Sequence, residues 1–193
     1  MVNSRSTLSS APMATLLSIG EALKAIAARM DRDEDILFLF LTSHGSREHE
    51  LSLRQSHMTL RDLPARELGH LLKESGIRWK VIVVSACYSG GFIDPLKDDR
   101  TLIMTASAAN RTSFGCGAES DATYFGDALF QHALRFEDSF VKAFEQAKKQ
   151  ITERERSERR EASNPQIFVG EQMGKKLPKL EAELRKRRSG GSI

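Results

Sequence analysis

Apolar residues recur at Leu16, Ile19, Leu23, Ile26 and Met30, the alternating three- and four-residue spacing of a helix with one buried face. That pattern predicts a helix over about residues 13–30, closed by the charged turn 31–35. The run Ile36-Leu-Phe-Leu-Phe-Leu41 is apolar at every position and only six residues long, which reads as a strand buried on both faces. Residues 48–60 are polar with weak alternation at Leu51 and Leu53 and predict a hairpin. Leu63, Leu68, Leu71 and Leu72 mark a second helix ended by Gly76. Val81-Ile-Val-Val84 and Leu102-Ile-Met-Thr105 predict two further buried strands. Helices follow over about 124–135 and 138–161, then a last strand at Gln166-Ile-Phe-Val169 after Asn164-Pro165.

Strands alternating with helices specify a mostly parallel sheet with helices on both faces, an α/β class. Residues 1–174 form one domain on this reading, and 175–193 a charged helix and tail. In such sheets the chemistry collects at the carboxyl ends of the strands. Two residues are picked out by that rule alone. His44 follows the first strong strand, and Cys87 follows the next. An imidazole beside a cysteine takes the thiol proton and stabilises the thiolate, making a nucleophile. Gly45 and Gly90-Gly91 let the backbone turn and approach a substrate closely. The amides of Gly45 and Cys87 are then candidate oxyanion donors. The plainer alternative, a small buried cysteine and a turn histidine, fits each residue singly; their joint position at successive strand ends favours chemistry.

The motifs carry a resemblance. Phe40-Leu-Thr-Ser-His-Gly45, with Val84-Ser-Ala-Cys-Tyr-Ser-Gly90 placing the cysteine 43 residues after the histidine, resembles the legumain family, relatives of the caspases. The separation is close to the roughly 50 residues between the caspase histidine and cysteine. Thr105-Ala-Ser-Ala-Ala-Asn110, Tyr124-Phe-Gly-Asp127 and residues 164–170 are similar to later segments of that family, so the likeness runs from about 13 to 170. It implies a caspase-like fold and a cysteine endopeptidase with His44 and Cys87 as the dyad and Gly45 binding the oxyanion. Legumains cleave after asparagine and less readily after aspartate. The resemblance places Asp127 and the hydroxyls of Thr112 and Ser113 in the specificity pocket, where a carboxylate accepts from an amide NH2. Asp127 reads equally as an ordinary acid at a helix N-terminus.

Two positions depart from the family. Ser85 stands where legumain has an acid two residues before its nucleophile, so it is carried as a candidate substrate contact, and Tyr88 replaces an acid just after it. The family fold also begins with a strand, helix and strand for which only Val2-Asn3 could remain, so the first strands are expected to be lacking and the chain to be either a piece of a longer protein or a truncated, unstable or inactive form. Without them the strand at 36–41 would have an open apolar edge.

Composition sets outer limits. A chain of 193 residues with 40 % hydrophobic and 28 % charged residues suits one soluble domain. A net charge of +3 makes no case for nucleic acid, and Leu184-Arg-Lys-Arg-Arg188 reads as a solvated helix end. No apolar run approaches the roughly 18 residues of a membrane helix, and residues 2–10 are too polar for a signal peptide. The compartment is therefore left open, with resemblance to bacterial members implying a free-standing or tethered prokaryotic enzyme. Cys87 and Cys116 are too few for a disulfide scaffold and are expected as free thiols. His44, His49, His57 and His70 lack helical metal-ligand spacing, so no metal or other cofactor is expected; His49, His57, His70 and His132 read as surface or packing residues. Ile93 stands where a cysteine phosphatase needs its arginine, which removes that class. The expected partner is a peptide or protein substrate. A peptidase-like module that binds without cleaving, and a transpeptidase using the same dyad, are the alternatives.

Overall fold

The structure, a computed structural model, describes residues 14–54, 59–115 and 122–190. His57 and Cys116 lie outside the described residues. The centre of the fold is the strand Trp79–Ser85, in which Val81, Ile82, Val83 and Val84 are 1 % exposed or less. A strand so apolar needs cover on both faces and a partner on each edge. It pairs in parallel with Ile36–Thr42 on one side and with Thr101–Thr105 on the other, and Gln166–Val169 adds antiparallel to the latter. Numbered along the chain these are β4, β1, β5 and β6, giving the sheet order β1-β4-β5-β6.

Side chains alternate across β4 with the two-residue strand period. Val81 and Val83 join Leu102 and Met104 in a core with Phe125, Leu129, Phe144, Ile151 and Met173. Ile82 and Val84 join Ile103 in a second core with Leu23, Leu68, Leu72, Phe92 and Leu96. Helices cover both faces, as the strand–helix alternation predicts. α1 (Leu16–Ala27) and α2 (Ala65–Ser75) lie over the second core. Thr15 caps α1 in a reciprocal box with Ser18, and Gly76 ends α2 in the left-handed region at φ 72°. Past the short helices α3 (Ile93–Leu96), α4 (Tyr124–Gly126) and α5 (Leu134–Phe136), α6 (Phe140–Ser157) and α7 (Glu171–Gly190) lie over the first core.

Three local expectations shift. Where a hairpin is expected over 48–60, the described residues pair further along: β2 (Glu50–Leu51) joins β3 (Leu63–Pro64), with Leu51 and Leu63 both buried there. Helix α6 stops at Ser157, where Arg159 turns into the left-handed region at φ 53°, rather than continuing to 161. The last helix starts at Glu171 instead of 175, and Met173 and Leu177 insert into the core, so the boundary at 174 falls inside a helix. The helical segment 124–136 has a π-helical middle, Asp127–Ala133.

Among the described residues β1 is an edge strand and not, as expected, buried on both faces: Phe38 and Phe40 on it are 44 % and 40 % exposed. Their rings meet Phe130 and Phe140 from the helical layer but leave the strand edge open. No helix among the described residues is long and apolar enough to cross a membrane.

Candidate active site

The register of β1 on β4 aligns Thr42 with Ser85, so His44 and Cys87 each stand two residues beyond a paired position. The ladder runs one step further, with the Ser43 amide donating to the Ser85 carbonyl at 3.3 Å. Parallel pairing thus brings both residues to one rim of the sheet. The segment after β1 is tied down as well. Ser52 donates its amide to the His44 carbonyl at 2.9 Å, the Ser43 hydroxyl donates to the Ser52 carbonyl at 2.6 Å, and Gly45 forms an antiparallel bridge to Leu51.

Gly45 is where the two loops touch. A Cβ there would lie 2.0 Å from the Cys87 carbonyl oxygen, a separation no side chain tolerates. Gly90 meets a similar wall, with a Cβ falling 2.5 Å from the Ala109 amide nitrogen. These two glycines are required by close backbone approach.

Cys87 is half-buried and its thiol is free. Its sulfur sits against Ser113: the Ser113 amide donates to Sγ at 3.3 Å, the Ser113 hydroxyl lies 3.8 Å away, and the thiol faces the Ser113 carbonyl at 3.5 Å. The amide, the hydroxyl and the carbonyl of one residue together fix where the sulfur sits. Ser113, expected in a specificity pocket, therefore touches the sulfur itself. His44 is exposed at the rim.

The turn after the sulfur is strained and heavily braced. Tyr88 adopts a left-handed φ of 57°, with its amide donating to the Arg111 carbonyl at 2.7 Å. The short turn Ser89–Phe92 is pinned by Ser107, whose hydroxyl accepts from the Ser89 amide at 3.2 Å and donates to the Ala86 carbonyl at 3.2 Å.

The remaining expected contacts spread around this centre. Ser85 is fully buried and its hydroxyl pairs at 2.7 Å with that of Thr123, which in turn caps the helix Tyr124–Gly126. Ser85 thus acts as a joint between β4 and that helix, with its side chain out of solvent. Thr112 is half-buried beside Ser113. Asp127 lies at the N-terminus of the π-helical segment, half-buried, with its carboxylate 3.6 Å from His132 Nε2.

Sequence reading passed over the cluster that holds the 111–115 loop. The Tyr124 hydroxyl donates to the Glu158 carboxylate, which also accepts from Arg154 at 3.0 Å and Arg160 at 2.7 Å. Arg154 lies 3.6 Å from the Tyr124 ring centre and Arg160 lies 5.0 Å from that of Phe114, the neighbour of Ser113. Arg111 also pairs with Glu161. The charged residues Arg154, Glu158 and Arg160, at the end of α6 and just beyond it, hold the loop that meets the sulfur.

The Tyr124 hydroxyl, then Arg160 and Arg154, hold the Glu158 carboxyl down at about 2 against an ordinary 4.5. A depressed carboxyl contributes stability that is complete above pH 4.5 and is lost as pH falls toward about 2. Glu158→Gln is therefore expected to melt below the parent protein at pH 7 and level with it at pH 2. Coincident melting curves at pH 7 would show that the cluster does not hold the loop.

The model of the peptidase C13 family matches residues 17–175. No curated protein matches the chain. Among solved structures, caspase-1 from Spodoptera frugiperda is similar with a TM-score of 0.58 at 15 % identity, over 80 % of this chain and 67 % of that one. At that identity the likeness establishes the architecture, a caspase-like α/β fold.

Proposed function

Because this chain belongs to the peptidase C13 family, the legumain family of cysteine peptidases, we propose that it is an endopeptidase in which His44 and Cys87 act as a dyad. The observation that carries this reading is the shared rim: β1–β4 register delivers both residues together, with Gly45 pressed on the Cys87 backbone. Cys87 Sγ gives its proton to His44 and attacks the peptide carbonyl carbon. The Gly45 and Cys87 amides hold the resulting oxyanion. His44 returns the proton to the leaving amine, the C–N bond breaks, and water, deprotonated by His44, hydrolyses the thioester. Ser113 holds the sulfur in place for attack, through the amide contact at 3.3 Å.

The finer part of the proposal concerns the residue before the cleaved bond. Asp127, with Thr112 beside the sulfur contact, supplies an acceptor and a hydroxyl for an asparagine side chain or a protonated aspartate. Ser85 is buried on Thr123 and shapes this region from behind.

A fluorogenic peptide library varied at that position, under reducing conditions, tests both levels. Turnover that vanishes in Cys87→Ala and peaks at asparagine is the expected result. Turnover by the alanine variant, or none from folded parent protein, would overturn the peptidase reading. A flat profile at asparagine would remove Asp127 alone.

A further inference from the structure

His49 lies five residues beyond His44 and touches the turn that carries Cys87. Its Nδ1 is 3.2 Å from the Tyr88 carbonyl oxygen. A carbonyl only accepts, so the ring nitrogen facing it carries the proton, which fixes His49 as the Nδ1–H tautomer when neutral. Protonation adds a donor at Nε2 and leaves this bond in place. The ring lies flat on Gly91: a Cβ at that glycine would fall 2.1 Å from the ring's Cγ and Nδ1.

The backbone of His49 is as constrained as its ring. Its φ is 61°, its amide donates to the Ser46 carbonyl at 3.1 Å, and its carbonyl accepts from Ala65 at 2.9 Å, the first residue of α2. His49 therefore joins three pieces: the loop bearing His44, the start of α2, and the turn after the sulfur. Arg47, two residues earlier, stacks over the Tyr88 ring at 5.8 Å, so the same loop grips Tyr88 by both its carbonyl and its side chain.

Tyr88, the residue directly after the nucleophile, is left-handed at φ 57°. Such a conformation in a bulky residue persists only where its surroundings hold it. We propose that His49 is a positioning residue for the nucleophile, holding the Tyr88 peptide by the Nδ1–H bond so that the Cys87 sulfur stays on the Ser113 amide and on the rim shared with His44. The proposal rests on the dyad reading for its effect on turnover, but its effect on the sulfur does not depend on peptidase activity.

The test uses three variants and two measurements. In asparagine the side-chain nitrogen sits where Nδ1 does, whereas in glutamine it sits one bond further out, where Nε2 does. His49→Ala and His49→Gln are expected to lower kcat about tenfold or more, with KM within about twofold, since small displacements of a reacting atom cost that much. His49→Asn is expected to recover most of the rate. In parallel, alkylation by iodoacetamide is followed at Cys87 by peptide mass spectrometry, which separates it from Cys116. The same order, parent and Asn above Ala and Gln, is expected. If that order appears in alkylation while the parent cleaves no peptide, the positioning role stands and the peptidase reading fails. Equal alkylation in all four proteins, or equal losses in all three variants together with lowered melting, overturns the proposal.

Discussion

Replacing Cys87 with alanine is expected to lower kcat by on the order of 10^4-fold or more, the loss typical of removing a covalent nucleophile. The reasoning is chemical. Cys87 is the nucleophile at the meeting of β1 and β4, and Ser113 sets an amide at 3.3 Å and a hydroxyl at 3.8 Å on its Sγ. His44→Ala is expected to fall by a similar factor, because a thiol without its base is largely protonated at neutral pH. The two act as one unit, so the double variant should be no slower than the worse single one. Folding should survive, since Cys87 is half-buried and His44 exposed. The measurement is steady-state kinetics on all three variants beside urea melts. Losses that multiply in the double variant would mean that the two residues work independently, which a dyad forbids.

Gly45→Ala is expected to be nearly as damaging by a wholly steric route. The added methyl would lie 2.0 Å from the Cys87 carbonyl oxygen, 3.1 Å from its carbon and 3.2 Å from the Ala86 Cβ. Neither wall can yield cheaply. On one side the chain is held by Ser43 on Ser85 and Ser52 on His44; on the other Tyr88 is held by Arg111. The clash therefore separates the two loops. A cost of about 1–3 kcal/mol in stability is expected from overpacking. With an atom-scale displacement of His44 from Cys87, turnover should drop about 100-fold. Kinetics together with chemical denaturation separate the two effects. Parent-like activity and stability would show that the loops do not approach as closely as the Gly45 geometry requires.

Both predictions depend on contacts between segments about forty residues apart, and that separation marks the limit of legibility. Local rules acting on neighbours in the chain determined the element order. The runs at 36–41, 81–84 and 102–105 are too short for helices and too apolar for exposed strands. They became β1, β4 and β5, with ends at Thr42, Ser85 and Thr105. Gly76 marks the end of α2 because only a left-handed residue closes it there. His44 and Cys87 were legible as strand-end residues for the same reason, since their position needs only the strand boundaries.

Which strands lie side by side, and in what register, is a tertiary choice. It turned two strand ends into one rim by aligning Thr42 with Ser85. The Ser113 contact on sulfur, the His49 bond to Tyr88 and the Tyr124–Glu158 pair span 26, 39 and 34 residues. No local propensity encodes such meetings. His49 reads as a surface or packing histidine, and residues 154–160 as the last turns of a helix, until packing brings a carbonyl or a tyrosine to them. The π-helical turn at Asp127–Ala133 and the core insertion of Leu177 follow the same rule. Sequence determined which segments must be buried and where the chain must turn; tertiary packing decided which buried segments share an edge, and with that which polar groups meet at the sulfur.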